Sequence, residues 1–363
     1  MSFPLCYLPN TPQKDGFYMP AEWAAHQAIW MLWPYRHDNW RDHALPVQKT
    51  FAQIAEAISQ TTPVYMGVPA IFMSQAKKIM SSQINLVEMN SDDAWVRDTG
   101  PTMVTNGSEI RAVHWKFNAW GGALGGLYDD WRKDEKVAQK ISQFHNYSLY
   151  KAPIILEGGS IHTDGEGTLL TTSECLLHKN RNPDLTQSNI EKVLVEYLGV
   201  THFIWLPEGL CNDETDGHID NICCFVRPGE VALHWTEDVK DTQYARSLSA
   251  YETLSQAKDA RGRSLKIWKI PAPSPLYRKK KEKIGILANG SSRQPGERLA
   301  GSYINFLNTN QQIVFPLLND PHDTEAGEIF KKIFPDYQIT GIPAREVLLG
   351  GGNIHCVTQQ VPK

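Results

Sequence analysis

The sequence predicts an α/β protein in which five units of helix and strand close around an axis. The chain repeats one order of helix, strand, polar motif, strand, turn and strand along most of its length. Two units also share a local pattern, Gly158-Gly159-Ser160-Ile161-His162-Thr163 against Gly351-Gly352-Asn353-Ile354-His355-Cys356, each following a helix and an apolar strand. Finally, the glycine loop of a doubly wound nucleotide fold is missing. "LEGGSIHTDGEG" has neither the GxGxxG spacing nor a helix directly behind it, and "KKEKIGILANGSSRQ" has no Gly-Lys-Ser/Thr. Closure would remove exposed sheet edges, with the early "IWMLWP" run beside the last unit. Polar landmarks at Asp98, His162, Asp220, Asn305 and His355 are unevenly spaced, which argues against a uniform solenoid. A chain of 363 residues would ordinarily suggest two or three domains, but the repeat favours one, spanning 1–363.

The elements follow in order. "ALPVQKTFAQIAEAIS" has the apolar spacing of a helix and leads to the strand "PVYMGV", a second helix "AIFMSQAKKIM" and the strand "INLVEM". In "DDAWVRDTGPTMVTNGSEIRAVHW" the pair Asn106-Gly107 signals a hairpin. A helix is expected near 131–143, then "APIILEGGSIHTDGEGTLLTT" with its turn at Asp164-Gly165 and Gly167. "TQSNIEKVLVEYLG" carries a capping residue, apolar spacing and a closing glycine, and "HFIWLPEG" follows as a strand. "TDGHIDNICCFVRPGEVAL" reads as two strands about a Pro-Gly turn, with His218 and Asp220 on one side of an alternating strand. A helix near 241–257, the strands "LKIWKI" and "GSYINFLNTNQQIVFP", the helix "EAGEIFKKIF" and a last strand carrying Cys356 complete the chain.

Composition excludes several classes. Forty acidic side chains oppose 36 basic ones, for a formal net charge of -4, so the whole chain offers no electrostatic case for nucleic acid or an anionic membrane. "RKKKEK" is expected to be a solvated loop face. No apolar stretch approaches the roughly 20 residues of a membrane helix. The start has no basic leader or apolar core of a secretion signal, and cytoplasmic residence is the default expectation. Cys6, Cys175, Cys211, Cys223, Cys224 and Cys356 are expected to be free thiols, mostly packed as small hydrophobes. Eleven tryptophans, several near polar motifs, suggest a pocket that stacks on a planar or cationic ligand.

Three polar sets lie between β segments: "WVRDTGP" with Asp98, "LEGGS" with Glu157, and "DETDGHID" with His218 and Asp220; Cys356 holds the matching place in the last unit. Each has a plain structural alternative: Asp98 as a turn cap neutralised by Arg97, Glu157 as a backbone acceptor, His218 as a satisfied edge histidine, Cys356 as an inert thiol. A metal centre is not expected. There is no C-x2-C pair or HExxH helix, and the adjacent Cys223 and Cys224 point to opposite faces of a strand. A Cys-His-carboxylate nucleophile system remains, and the extra carboxylates narrow its substrate. Amide hydrolysis builds negative charge on oxygen, which neighbouring aspartates oppose. A guanidinium instead matches paired carboxylates in bidentate geometry, with Asp98 and Asp220 as its holders and Trp95 and Trp120 as walls. His355 is a weaker catalytic candidate than His218, because a neighbouring strand residue points away from Cys356. Gly351 and Gly352 would let the ligand approach the backbone closely.

The motifs "GFYMPAEW", "DDAWVRDTGP", "FNAWGG", "LEGGSIHTDGEGTLLTT", "DGHIDN" and "GGGNIHCVTQQ", which together span the chain, resemble those of the agmatine deiminases in the guanidino-modifying, or pentein, superfamily. The resemblance implies a closed five-bladed αβ propeller with pseudo-fivefold symmetry and a narrow central pocket. It implies Cys356 as nucleophile, His218 as general acid and base, Glu157 orienting that histidine, and Asp98 and Asp220 binding the guanidinium. The implied reaction is hydrolysis of agmatine to N-carbamoylputrescine and ammonia on the way to putrescine and polyamines. No cofactor and no metal are implied, and the expected assembly is a homodimer or higher homo-oligomer. An anionic or tryptophan-lined mouth would prefer agmatine, which lacks a carboxylate, and Asp93, Glu214 and Asp216 are candidates for it. Arginine or peptidyl-arginine deimination, an amidinotransferase and a non-catalytic guanidine-binding protein remain as alternatives.

Overall fold

The structure, a computed structural model, describes residues 7–282 and 293–363. Cys6 and most of the "KKEKIGILANGSSRQ" segment lie outside these residues. The first elements are β1 (His26–Leu32), α1 (Leu45–Ser59), β2 (Val64–Val68), α2 (Met73–Ile79) and β3 (Asn85–Glu88). Helix α1 starts with Pro46 in its first turn, where the missing N–H costs nothing, and buries Val47, Phe51, Ile54, Ala55 and Ile58 on one face. Its crossover makes β1 and β2 parallel, and α2 does the same for β2 and β3.

Next come α3 (Val96–Thr99), β4 (Thr102–Thr105), β5 (Ile110–Lys116), α4 (Val137–His145) and β6 (Leu149–Ile155). The expected turn at Asn106-Gly107 joins β4 to β5 as an antiparallel pair, and β6 returns parallel to β5. Helix α4 begins later than the periodicity suggests. Asp134 is drawn into the interior, where its Oδ1 accepts the Asp92 N–H at 2.6 Å, and a tight turn precedes the helix. The third group is β7 (Ile161–Thr163), β8 (Thr168–Thr172), α5 (Ser173–Leu176), α6 (Gln187–Leu198) and β9 (His202–Leu206). Thr186 and Asn189 form a reciprocal cap at the start of α6, and Gly199, at φ +67°, ends it in the left-handed conformation.

The fourth group is α7 (Ile219–Ile222), β10 (Cys223–Arg227), β11 (Glu230–Trp235), α8 (Thr242–Gln256) and β12 (Lys266–Pro271). The fifth is β13 (Leu307–Thr309), β14 (Gln312–Leu317), α9 (Asp323–Ile333) and β15 (Gln338–Pro343), followed by α10 (Arg345–Leu348) and β16 (Gln359–Pro362). Each of these last groups repeats the antiparallel pair with a parallel third strand. Strand β16 pairs antiparallel with β1, with Ile29 opposite Gln360, so the early "IWMLWP" strand does lie beside the last unit.

The strand pairing corrects the closed five-bladed propeller with pseudo-fivefold symmetry. Among the described residues the strands form five separate small sheets, ordered β16-β1-β2-β3, β4-β5-β6, β7-β8-β9, β10-β11-β12 and β13-β14-β15. No sheet closes on itself, because each group ends its hydrogen-bond ladder after a third or fourth strand. The fold is therefore α/β with several small open sheets, packed through four apolar clusters.

Two local expectations also change. His218 and Asp220 do not sit on an alternating strand: His218 precedes the one-turn helix α7, and Asp220 lies within it. Cys356 lies in a turn before β16, so its strand begins three residues later. In the basic run, Lys279, Lys280 and Lys281 are exposed as expected, whereas Arg278 is buried and donates to the Leu349 carbonyl at 3.0 Å. No helix of the described residues is long and apolar enough to cross a membrane.

Candidate active site

Two distant chain segments, one bearing Asp98 and the other His218 and Asp220, converge on Gly159. A methyl carbon built there would lie 2.7 Å from His218 Nδ1, 2.9 Å from Asp98 Oδ1 and 3.0 Å from Asp220 Oδ2. Only a residue without a side chain lets these three groups share the space. The Gly159 N–H also donates to Asp98 Oδ1 at 2.9 Å, while the Trp120 indole donates to Asp98 Oδ2 at 2.9 Å. Asp98 is thus fixed by a backbone and a ring donor. Burial, with Asp220 and Glu157 nearby, pushes its carboxyl up to about 6 against the opposing pull of His218.

Cys356 is buried, with Sγ 3.5 Å from Asp220 Oδ2 and 3.1 Å from Asn305 Nδ2. Asn305 Oδ1 also accepts the His355 N–H at 3.0 Å and the Cys356 N–H at 3.3 Å, so one amide organises the turn and faces the sulfur. Burial and the charges of Asp220 and Asp98 hold the thiol well above its usual range, with Asn353 and Asn305 pulling weakly the other way. In the free protein this is a protonated thiol, and a cation beside the two aspartates is what would ease its ionisation.

His218 is fully enclosed, and among the described residues neither ring nitrogen has a partner at hydrogen-bond distance. Nδ1 lies 3.9 Å from Asp98 Oδ1, and Nε2 lies 3.7 Å from Glu157 Oε2. Burial disfavours its positive form, but Asp98, Cys175 and Glu157 outweigh that and hold the ring well above the ordinary histidine range. Glu157 Oε1 accepts from Arg181 Nε at 2.8 Å. Burial works against the Glu157 charge, yet Arg181 and His218 bring its carboxyl down to about 2. A charged imidazolium between carboxylates, and a thiol waiting for a cation, are the elements of nucleophilic attack with proton transfer.

The remaining expected residues surround this centre. Trp95 stacks on Trp40 with 5.2 Å between centroids and meets Trp120 edge-on at 6.5 Å. Asp93 lies behind that wall: its Oδ1 accepts from Trp40 Nε1 at 2.7 Å, and its Oδ2 from Trp95 Nε1 at 3.0 Å and Asn39 Nδ2 at 2.5 Å. Both oxygens are thereby committed to holding the rings. Asp216 pairs with Arg181 Nη1 at 2.5 Å and accepts from Asn180 at 2.9 Å, on the far side of Arg181 from Glu157. Glu214 pairs with Arg293 and packs against Gly351, whose φ of +107° suits glycine. At Gly352 a methyl carbon would lie 2.6 Å from the Trp95 ring and 3.1 Å from Cys356 Sγ.

Sequence reasoning missed Arg181, Cys175 and Glu22. Arg181 had no motif around it, Cys175 was counted only among packed thiols, and Glu22 lies in the quoted "GFYMPAEW" without a chemical reason to stand out. Glu157, Cys175 and His218 place ligand atoms within 4.8 Å of one another, a set that could hold a metal ion. The Arg181 guanidinium on Glu157 opposes a cation there.

A family model described as Porphyromonas-type peptidyl-arginine deiminase matches residues 18–362. A Yersinia pestis protein named as a candidate agmatine deiminase is 66% identical over 357 residues, covering 98% of each chain. The solved agmatine deiminase of Enterococcus faecalis superimposes with a TM-score of 0.97 at 43% identity, covering 99% of each chain. A C. jejuni agmatine deiminase solved with substrate bound gives 0.83 at 26% identity, covering 96% of each chain. The chain belongs to the Porphyromonas-type peptidyl-arginine deiminase family and, with its agmatine deiminase relatives, to the guanidino-modifying pentein superfamily.

Proposed function

We propose that this protein is an agmatine deiminase, which hydrolyses agmatine and water to N-carbamoylputrescine and ammonia within polyamine metabolism. The observation that carries the reading is the meeting of Asp98, His218 and Asp220 around Gly159, beside the buried Cys356 thiol, in a chain so similar to agmatine deiminases over its whole length.

Asp98 and Asp220 take the guanidinium N–H groups, and the arriving positive charge lowers the cost of ionising Cys356. Cys356 gives its proton to solvent as the cation arrives, and the thiolate attacks the guanidinium carbon and forms a C–S bond. The tetrahedral adduct then expels one nitrogen as ammonia, protonated by the His218 imidazolium, and leaves an S-alkylthiouronium cation. The neutral His218 takes a proton from water as its oxygen attacks the same carbon. Collapse breaks the C–S bond, returns Cys356 as thiolate, passes the hydroxyl proton to the released ammonia or solvent and frees the ureido product. Glu157, held by Arg181, keeps His218 oriented and stabilises its charged form.

Trp95 and Trp120 line the cation's path, with Gly351 and Gly352 giving room beside the sulfur. Glu214 packs against the Gly351 turn, Asp93 holds Trp40 and Trp95, and Asp216 holds Arg181. The chain acts as one catalytic domain over 1–363, in the cytoplasm, as a homodimer or higher homo-oligomer, without a metal or organic cofactor.

The deciding experiment is ammonia release from agmatine, arginine and a peptidyl-arginine substrate compared in one assay. Turnover of agmatine well above the others supports the reading. Preference for peptidyl-arginine would turn it toward the activity in the family model's description, and no release from any of them would leave a guanidine-binding protein.

A further inference from the structure

His355, adjacent to Cys356, uses both of its ring nitrogens. Nδ1 lies 2.8 Å from Asp220 Oδ2, and Nε2 lies 2.9 Å from Glu22 Oε1 and 3.1 Å from Glu22 Oε2. All three side chains are buried. A neutral imidazole has one N–H and can donate in only one direction; donating to a carboxylate at each end requires the imidazolium. Asp220 Oδ2 is therefore occupied, whereas its Oδ1 is buried with no hydrogen-bond partner among the described residues. An unpaired carboxylate oxygen in a closed space is costly unless a ligand completes it.

From this geometry we propose that Glu22 and His355 are positioning residues: a buried Glu22–His355–Asp220 relay that fixes one oxygen of Asp220 and presents the other to the substrate guanidinium. The inference rests on the deiminase reading of the site. Several charged or titratable groups face the relay. Arg97 Nη1 lies 3.3 Å and His162 Nε2 3.5 Å from Glu22, with His26 and Cys224 beyond them, and His218 and Cys356 flank Asp220. Burial and Arg97 oppose the His355 charge, but Glu22 and Asp220 prevail and raise its pKa above the ordinary value. The same cation lies one residue from the nucleophile and offsets part of the Asp220 charge that faces the sulfur.

Glu22→Gln keeps the shape and the acceptor and removes the charge. Nitrogen NMR of labelled histidine is expected to show His355 as imidazolium throughout the neutral range in wild type, and titrating within that range in Glu22→Gln. Once His355 loses its proton, its bond to Asp220 is no longer charge-assisted and the cation beside Asp220 is gone, so the agmatine KM of the variant should climb about tenfold on the alkaline side while kcat changes by less than about threefold. His355→Asn, which retains a donor near the Nδ1 position, should bind agmatine at least about fivefold more tightly than His355→Leu.

A Glu22→Gln protein with wild-type His355 titration and KM profile overturns the proposal. So does a His355→Asn protein no better than His355→Leu, and this pair decides the matter if Glu22→Gln does not fold. The NMR readout needs no turnover, so a wild type inactive on agmatine would defeat the functional reading while leaving the relay separately measurable.

Discussion

Arg181 Nε meets Glu157 Oε1 at 2.8 Å with both side chains fully enclosed, and the other Glu157 oxygen is left facing His218 Nε2 at 3.7 Å. One guanidinium thus lets a carboxylate remain charged in a dry interior and directs its free oxygen at the imidazole.

Arg181→Met should be severe for that reason. Glu157 would be left with only the more distant His218 as counterion, Asp216 would lose its closest donor, and the Thr215 carbonyl would lose its bond from Arg181. A loss of about 3–5 kcal/mol in urea unfolding is expected, the usual result of removing one partner of a buried pair. Agmatine turnover should fall with it. An Arg181→Met protein of wild-type stability would show that Glu157 does not depend on this contact.

Asp98 predicts the acid side of the pH profile. Its carboxyl is held near 6 in the free protein, and only the ionised form attracts a guanidinium. Agmatine KM should therefore rise about tenfold for each pH unit below 6 and level off above it. The stability sign is opposite. A carboxyl whose folded pKa lies above its unfolded one favours folding at low pH, and that contribution is lost as pH rises from the unfolded value toward 6. Asp98→Asn should thus be more stable than wild type at pH 8, by on the order of 1 kcal/mol, while binding agmatine far more weakly. Denaturation at pH 4 and pH 8 checks the sign.

Gly159→Ala tests the shared space. The new methyl group would crowd His218, Asp98 and Asp220 together, and a cost of about 1–3 kcal/mol is expected from overpacking. Because the displaced groups are the proposed reacting ones, kcat/KM should drop by about 100-fold or more, well beyond what the stability loss explains. Activity within a few fold of wild type would place the reacting carbon elsewhere.

Cys356→Ala should abolish ammonia release yet retain agmatine binding by calorimetry, since the aspartates and the tryptophan wall remain. In wild type, alkylation of Cys356 by iodoacetamide should be slow at neutral pH and accelerate only at high pH, following the elevated thiol pKa. Rapid alkylation at pH 6 would contradict the protonated resting state.

The sequence carried the candidate reacting groups further than the architecture around them. Asp98, Glu157, His218, Asp220 and Cys356 stood out because each is a chemically active side chain in a polar motif between β segments, and the structure brings them together. Its local geometry was harder to read. "DGHID" and "NIHC" alternate polar and apolar residues as a strand would, yet one folds as a helical turn whose side chains face Gly159, and the other as a turn held by Asn305. Arg181, Glu22 and His355 act through partners 24 to 333 positions away, a relation no local pattern reports. Closure failed as an expectation because repetition of a unit says what each sheet contains and nothing about whether one hydrogen-bond ladder continues into the next.

The pairing of β16 with β1 gives the site a place in time. Gln27 donates to the Pro362 carbonyl across 335 positions of chain, and the turn bearing Cys356 is anchored directly before this strand. Contacts so distant in sequence form late, after the local hairpins and helices have reduced the entropy of closing the loop. A nascent chain can therefore bring Asp98, Glu157 and His218 together while the sulfur, and the His355 that holds Asp220, are still unseated. Catalytic competence would then report that folding is finished, since the proposed nucleophile is among the last groups to arrive.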